Sequence, residues 1–167
     1  LYDQNVVIAP YAAVISNAST EPHRAEGEPV SRSGFVRHLT PEVAAAIGRL
    51  LASGATYFFQ IRAVGGAVSD VAADETAYAH RDANFQIAAI GANRQRLDRV
   101  WDREMYPLMR GLYLSFETDP RPERLAEVLA GETLARLREV KRRYDPDDVF
   151  RHNFSVAVRD GGGAGQA

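Results

Sequence analysis

A helix followed by a strand is predicted by the stretch Thr40-Pro-Glu-Val-Ala-Ala-Ala-Ile-Gly-Arg-Leu-Leu-Ala-Ser-Gly-Ala-Thr-Tyr-Phe-Phe-Gln-Ile-Arg-Ala-Val64. Thr40 can cap the helix, Pro41 suits its first position, and Glu42 favours the positive end of the helix dipole. Apolar residues then recur at helical spacing until Gly54, which can end the helix, at Val43, Ala46, Ile47, Leu50 and Leu51.

The strand is predicted from Tyr57 to Val64, where alternate side chains point to opposite faces of a sheet. One face would carry Tyr57, Phe59, Ile61 and Ala63. The other would carry Phe58, Gln60 and Arg62. Working outward, the pattern predicts two short strands within 5–18, an exposed loop over 19–29, a strand over 84–90, a helix over 94–109 that Pro107 distorts, a strand over 112–116, and helices over 123–129 and 132–144.

This order of elements predicts an α+β fold. We expect an antiparallel sheet with helices packed on one face, close to a ferredoxin-like split βαβ arrangement. Neither Gly65-Gly66 nor Gly161–Gly163 has the strand–glycine–helix context of a phosphate loop.

Composition excludes several classes of protein. The 167 residues are 46% hydrophobic, and the net charge of -2 gives no basic field for nucleic acid or an anionic membrane. The absence of cysteine excludes disulfides and thiolate metal sites. The histidines show no metal-ligand spacing, so no metal site is expected. No apolar run reaches a membrane span and no signal peptide is visible, which favours a cytoplasmic protein over a secreted one. A single lysine among 20 cationic residues indicates GC-rich coding, as in many bacteria.

Four blocks in order resemble the berberine-bridge-enzyme-like family of FAD-linked oxidases, within the vanillyl-alcohol-oxidase-type superfamily. The first is Ser33-Gly-Phe35, ahead of the Thr40 helix, and the second is Phe59-Gln-Ile-Arg-Ala-Val-Gly-Gly-Ala67 followed by Asp74-Glu-Thr-Ala-Tyr-Ala-His-Arg-Asp-Ala-Asn-Phe85. The third is Gly111-Leu-Tyr-Leu-Ser-Phe116, and the fourth is Arg136-Leu-Arg-Glu-Val-Lys-Arg-Arg-Tyr-Asp-Pro-Asp-Asp-Val-Phe-Arg-His-Asn153. The third block departs from the family pattern, because Ser115 stands where Tyr-x-Asn has its asparagine. Asp148 and Phe154 likewise replace an asparagine and a glutamine that are common in the family.

The resemblance implies part of an enzyme rather than a whole one. Residues 1–118 would form a substrate-binding domain truncated at its start, 119–158 the C-terminal berberine-bridge-type segment, and 159–167 a flexible tail. An N-terminal domain of the same protein would hold FAD, and a small-molecule alcohol, sugar or secondary metabolite would be oxidised by hydride transfer to the flavin, with oxygen as acceptor. The chain by itself would then be inactive, and its uncovered apolar surface would favour homo-oligomers.

The resemblance also implies roles for individual residues. Tyr113 would be the catalytic base; because a phenol has a pKa near 10, such a base needs nearby positive charge or hydrogen bonds. Gln60, Arg62 and Gln86 would bind substrate, and Ser115 and Asn153 would lie near the flavin. Each of these residues also has a structural interpretation, as a strand tyrosine, a solvated strand face or a turn residue.

Two alternatives remain open from the sequence. One is a free-standing α+β binding or dimerisation module without redox activity, and the other is a small cofactor-free oxygenase on the same sheet. His80-Arg81-Asp82 stands at a predicted helix–strand junction and is interpreted as structural. The basic run Arg136–Arg143 is interpreted as a solvated helix face.

Overall fold

The computed structural model describes residues 8–13, 29–119, 121, 124, 127–129, 131–151 and 154–156. Its strands are β1 (Val30–Val36), β2 (Phe58–Ala63) and β3 (Phe85–Gly91), and its helices are α1 (Pro41–Ala52), α2 (Arg94–Val100) and α3 (Gly131–Tyr144). No described helix has the length and apolar character needed to cross a membrane.

The three strands form one antiparallel sheet in the order β1-β3-β2. β3 is central and antiparallel to both neighbours, so β1 and β2 run in the same direction and α1 connects them. This is the split βαβ arrangement, and the predicted α+β class is confirmed.

Helix α1 begins and ends where its sequence predicts. The Thr40 hydroxyl accepts a hydrogen bond from the backbone N–H of Val43 at 3.3 Å, and Gly54 follows the helix with a φ of 62°. The face that carries Val43, Ala46 and Leu50 is buried. A capped amphipathic helix of this kind covers one face of the sheet.

Helix α2 continues as a π-helical turn, Trp101–Met105, and a 3-10 turn, Tyr106–Leu108. The predicted helix and its distortion near Pro107 are therefore confirmed. The main core lies between this continuous helical segment, α1 and the sheet. Its fully buried members include Leu50, Ile87, Leu97, Trp101 and Met105.

Strand β1 is not among the predicted elements, because its sequence begins Val-Ser-Arg-Ser and lacks an apolar alternation. Every residue of the strand is nevertheless buried. Arg32 forms ion pairs with Asp98 of α2 at 2.5 Å and with Glu117 at 3.1 Å. These long-range partners replace the local apolar signal on which the sequence-based prediction depended.

The strand predicted over Leu112–Phe116 is wrong. Leu114–Phe116 forms a 3-10 turn, and Gly111 precedes it with a φ of 55°. The side chain of Ser33 on β1 accepts a hydrogen bond from the Tyr113 N–H at 2.9 Å and donates one to the Tyr113 carbonyl at 3.0 Å. A side chain thus satisfies the backbone groups that a sheet ladder would otherwise pair.

Helix α3 is confirmed, but only its first half is packed. Leu134 and Leu137 contact a second apolar cluster made by Leu112, Val128 and Leu129, whereas Val140 and Tyr144 are exposed. The helix predicted over 123–129 is described only in part. Of the strands predicted within 5–18, the structure describes 8–13, where 11–13 form a helical turn. The predicted loop over 19–29, except Pro29, and the predicted tail lie outside the described residues.

Candidate functional site

A cavity of about 390 Å³ lies on the face of the sheet opposite the main core. Its floor is set by strand register, because Phe35 on β1 and Arg62 on β2 both lie opposite Gln86 on β3. The neighbouring residue Ile87 points into the core, so these three side chains point away from it. The lining residues are Phe35, Arg62, Ala63, Val64, Val68, Tyr78, Arg81, Gln86 and Tyr113.

Three of the predicted site residues, Arg62, Gln86 and Tyr113, line this one cavity. Gln60 lies two residues before Arg62 on the same strand, and its Oε1 accepts a hydrogen bond from Arg62 Nε at 2.9 Å. Ser115 is exposed on the turn after Tyr113 and does not line the cavity. Asn153 lies outside the described residues.

Tyr113 belongs to a cluster of aromatic rings centred on Phe35. The ring centroids of Phe35 and Tyr113 are 6.3 Å apart in an edge-to-face arrangement, and Phe116 stacks on Tyr113 at 6.0 Å. Tyr113 is half-buried and contributes to the cavity wall. Its ring is therefore held in place but still accessible, as a residue that contacts a bound molecule requires.

His80 fixes the turn that leads into Tyr113. Its ring stacks on Phe35 with centroids 4.5 Å apart, and a Cβ added at Gly111 would lie 2.0 Å from His80 Cε1. Only glycine allows this close approach at a φ of 55°. Burial lowers the pKa of His80, although Asp82 acts in the opposite direction. These contacts support the structural interpretation of His80.

His80-Arg81-Asp82 lies in the loop before β3 rather than at the end of a helix. Arg81 donates hydrogen bonds to the Val68 carbonyl at 3.2 Å and to Thr76 Oγ1 at 2.6 Å. Asp82 pairs with Arg110 at 3.3 Å. The loop is thus tied down by its own polar side chains.

Sequence reasoning missed Tyr78 and Arg81 as cavity residues, although both stand in the second quoted block. The guanidinium carbon of Arg81 lies 4.9 Å from the centre of the Tyr78 ring. Burial raises the pKa of Tyr78, with Tyr113 and Asp82 acting in the same direction and Arg81 opposing them. Tyr78 therefore stays a neutral phenol near neutral pH, able to donate a hydrogen bond.

Gln86 lines the cavity and carries an unpaired buried acceptor. Its side chain is only 2% exposed, and its Nε2 donates to the Ile87 carbonyl at 3.0 Å. Its Oε1 is buried and has no hydrogen-bond partner within the described part of the chain. Since an unpaired buried acceptor is costly, a rotation of this side chain that brings Oε1 to a donor of a bound molecule would be favoured.

Several known proteins are similar to parts of this chain. Residues 131–157 match the family model described as "Berberine and berberine like". The FAD-linked oxidoreductase sorD of Penicillium rubens is 31% identical over 60% of this chain and 24% of its own length. The uncharacterized FAD-linked oxidoreductase YvdP of Bacillus subtilis is 34% identical over 55% of this chain and 22% of its own.

Two solved structures share the fold. Aclacinomycin oxidoreductase matches with a TM-score of 0.55 at 25% identity, covering 78% of this chain and 32% of the other. Carbohydrate oxidase from Microdochium nivale, in complex with a substrate analogue, gives a TM-score of 0.56 at 25% identity, covering 80% and 33%. Part of the chain is thus similar to the berberine-like family and to FAD-linked oxidoreductases.

These similarities confirm the resemblance drawn from the four blocks. The relatives with named organisms include fungi and a bacterium, so they do not decide the source of this chain. The chain spans about a quarter of the length of the curated relatives it matches.

The described residues suit one side of a flavin rather than its phosphates. Tyr113 and Phe116 present an accessible aromatic wall. In contrast, Gly65-Gly66 leads only into a three-residue 3-10 turn, Gly66–Val68, which cannot supply the aligned N–H groups of a helix N-terminus. Among the described residues no cluster of histidine and carboxylate side chains is placed to hold a metal ion.

Proposed function

We propose that this chain forms the substrate-binding part and C-terminal segment of an FAD-dependent oxidoreductase that oxidises an alcohol, sugar or secondary metabolite, with oxygen as acceptor. The observation that carries this proposal is the cavity on the open sheet face, where Arg62, Gln86 and Tyr113 meet. The related carbohydrate oxidase supports a sugar substrate, and aclacinomycin oxidoreductase supports a secondary metabolite.

Tyr113 would take the proton of the substrate hydroxyl that is oxidised, because its ring forms the accessible wall of the cavity. Gln86 Oε1 would accept a hydrogen bond from a second substrate hydroxyl, which would satisfy its unpaired acceptor. Gln60 would hold the guanidinium of Arg62 in place. Bound FAD would supply the hydride acceptor for the carbinol carbon.

The main partner would be an N-terminal FAD-binding domain of the same protein. Ser115 is exposed on the turn beside Tyr113, where a hydroxyl could reach the edge of a flavin. Asn153 is proposed as a second residue near the flavin because of the family resemblance alone. Homo-oligomer formation by the chain in isolation belongs to this proposal, since the covering domain would then be missing.

The test is the substitution Tyr113→Phe in the complete flavoprotein. Loss of the phenol oxygen removes the proton acceptor but keeps the ring, so flavin reduction by substrate should slow at least about tenfold. Anaerobic stopped-flow absorbance measures this step separately from reoxidation. Tyr57→Phe, at a tyrosine before β2 that does not line the cavity, is the matched control. Unchanged reduction kinetics in Tyr113→Phe would remove this residue from the mechanism.

A further inference from the structure

The charge of the cavity is one-sided. Among the residues that the structure describes, Arg62 and Arg81 are the charged ones that line it, and no carboxylate does. Neither arginine forms an ion pair with any carboxylate that the structure describes. Many arginines elsewhere in the chain do have a carboxylate partner, namely Arg32, Arg49, Arg103, Arg110, Arg121 and Arg124.

Arg62 presents unused hydrogen-bond donors. Its Nε donates to Gln60, and its guanidinium carbon lies 4.6 Å from the centre of the Phe116 ring. A guanidinium that lies over an aromatic ring keeps its N–H groups in its own plane, directed outward past the ring. Within the described residues, neither terminal nitrogen of Arg62 has a hydrogen-bond partner. Gln60 and Phe116 therefore orient the Arg62 side chain, while its two terminal nitrogens have no partner among the described residues.

Arg81 differs because its terminal nitrogens are already engaged by Val68 and Thr76. It holds a fixed positive charge at the cavity wall rather than a free pair of donors. Together the two arginines make the cavity attractive to an anion, with Arg62 as the contact and Arg81 as a source of favourable potential.

We propose that the substrate is an alcohol that carries a carboxylate, such as a sugar acid, and that the Arg62 guanidinium binds this carboxylate. A planar carboxylate matches the two parallel donors that the terminal nitrogens of one guanidinium present. The carboxylate then sets which hydroxyl faces Tyr113 and Gln86. This inference rests on the proposed function and assigns its substrate class.

The complete flavoprotein tests the inference with glucose and glucuronate, which share the oxidisable C1 hydroxyl and differ in charge. A charge-assisted contact predicts that glucuronate binds at least about tenfold more tightly than glucose. Arg62→Gln should abolish that preference by weakening glucuronate binding far more than glucose binding, and Arg62→Lys should restore part of it. Arg99→Gln removes an exposed arginine of α2 outside the cavity and should leave the preference intact.

Two readouts separate this inference from the proposed function. Isothermal calorimetry measures binding of each sugar without turnover, and stopped-flow absorbance measures flavin reduction. Equal affinities for the two sugars, equal losses for both in Arg62→Gln, or stronger binding of glucose 6-phosphate than of glucuronate would each overturn the carboxylate assignment. Tight glucuronate binding lost in Arg62→Gln, with no flavin reduction by any alcohol, would sustain anion recognition and defeat the oxidase proposal alone.

Discussion

At the scale of single residues, the position of Tyr113 depends on the imidazole ring of His80, which packs against the backbone of Gly111. His80 lies between the Phe35 ring and Gly111, and its Nε2 is buried without a hydrogen-bond partner in the described part of the chain. Because burial lowers the pKa of His80, the ring is neutral in the folded protein at a pH where an unfolded histidine, with a pKa near 6.5, begins to take up a proton.

This difference predicts a pH dependence of stability. Between the lowered folded pKa and the unfolded pKa, the unfolded chain binds more protons, so the free energy of unfolding rises with pH. The contribution of His80 is fully present above about pH 6.5 and declines as the pH falls toward the folded pKa. Urea unfolding at pH 7 and pH 5 measures the decline.

His80→Phe keeps a ring against Phe35 but cannot take up a proton, so the variant should lose less stability than the parent between pH 7 and pH 5. His38→Phe, which removes an exposed imidazole between β1 and α1, is the control and should behave as the parent does. An undiminished pH effect in His80→Phe would show that another group causes it.

At the scale of elements, buried charges join β1 to the chain that follows the 3-10 turn. Glu117 is buried and pairs with Arg32 of β1 at 3.1 Å and with Arg124 at 3.4 Å. Its Oε1 also accepts hydrogen bonds from the backbone N–H groups of Thr118 and Asp119. These contacts hold the segment that carries Tyr113 beside the edge of β1.

Glu117→Gln should destabilise the protein by about 3 kcal/mol, because it leaves two buried guanidiniums without their shared carboxylate. Chemical unfolding of parent and variant measures the difference. Asp82→Asn breaks an exposed pair with Arg110 and should cost less than about 1 kcal/mol. Equal costs for the two substitutions would mean that the buried cluster does not hold this segment.

The sequence predicts correctly those elements whose ends and faces are set by residues within the element itself. Thr40, Pro41 and Gly54 mark α1 by their own chemistry, and the helix is where they place it. Strand β1 escapes prediction because Arg32 is compensated by Asp98 and Glu117, which are distant in sequence. The predicted strand at Leu112–Phe116 fails for a related reason, since a side chain of β1 satisfies its backbone.

The candidate site shows the same division. Strand alternation and the family resemblance together predict Arg62 and Gln86 as substrate-binding residues. The sheet register then places both beside the cavity. Tyr78 and Arg81 reach the cavity from a loop whose path depends on contacts with Val68, Thr76 and Phe35. No periodicity in the sequence encodes such a path, so only the structure reveals them.

At the scale of the whole molecule, the described chain has two apolar clusters, of which the larger is better covered by secondary structure than the smaller. The larger one lies between the sheet, α1 and α2, and is closed on both sides by secondary structure. The smaller one joins Leu112 to the first half of α3. Beyond it, the second half of α3 and the residues after it carry large apolar side chains into solvent.

This apolar surface at the end of α3 predicts self-association of the 167-residue chain when it is produced alone. The surface consists of four exposed apolar residues: Val140 (51% exposed), Tyr144 (72%), Val149 (67%) and Phe150 (82%). Lys141 Nζ donates a hydrogen bond to the Phe150 carbonyl at 2.7 Å, and this bond keeps Phe150 close to the helix. Light scattering after size exclusion should give a mass above that of a monomer. Replacing Val149 and Phe150 by serine should lower this mass, whereas Leu51→Ser, at an exposed leucine of α1, should not. A monomeric parent chain would contradict the prediction, because it would show that this apolar surface does not drive self-association.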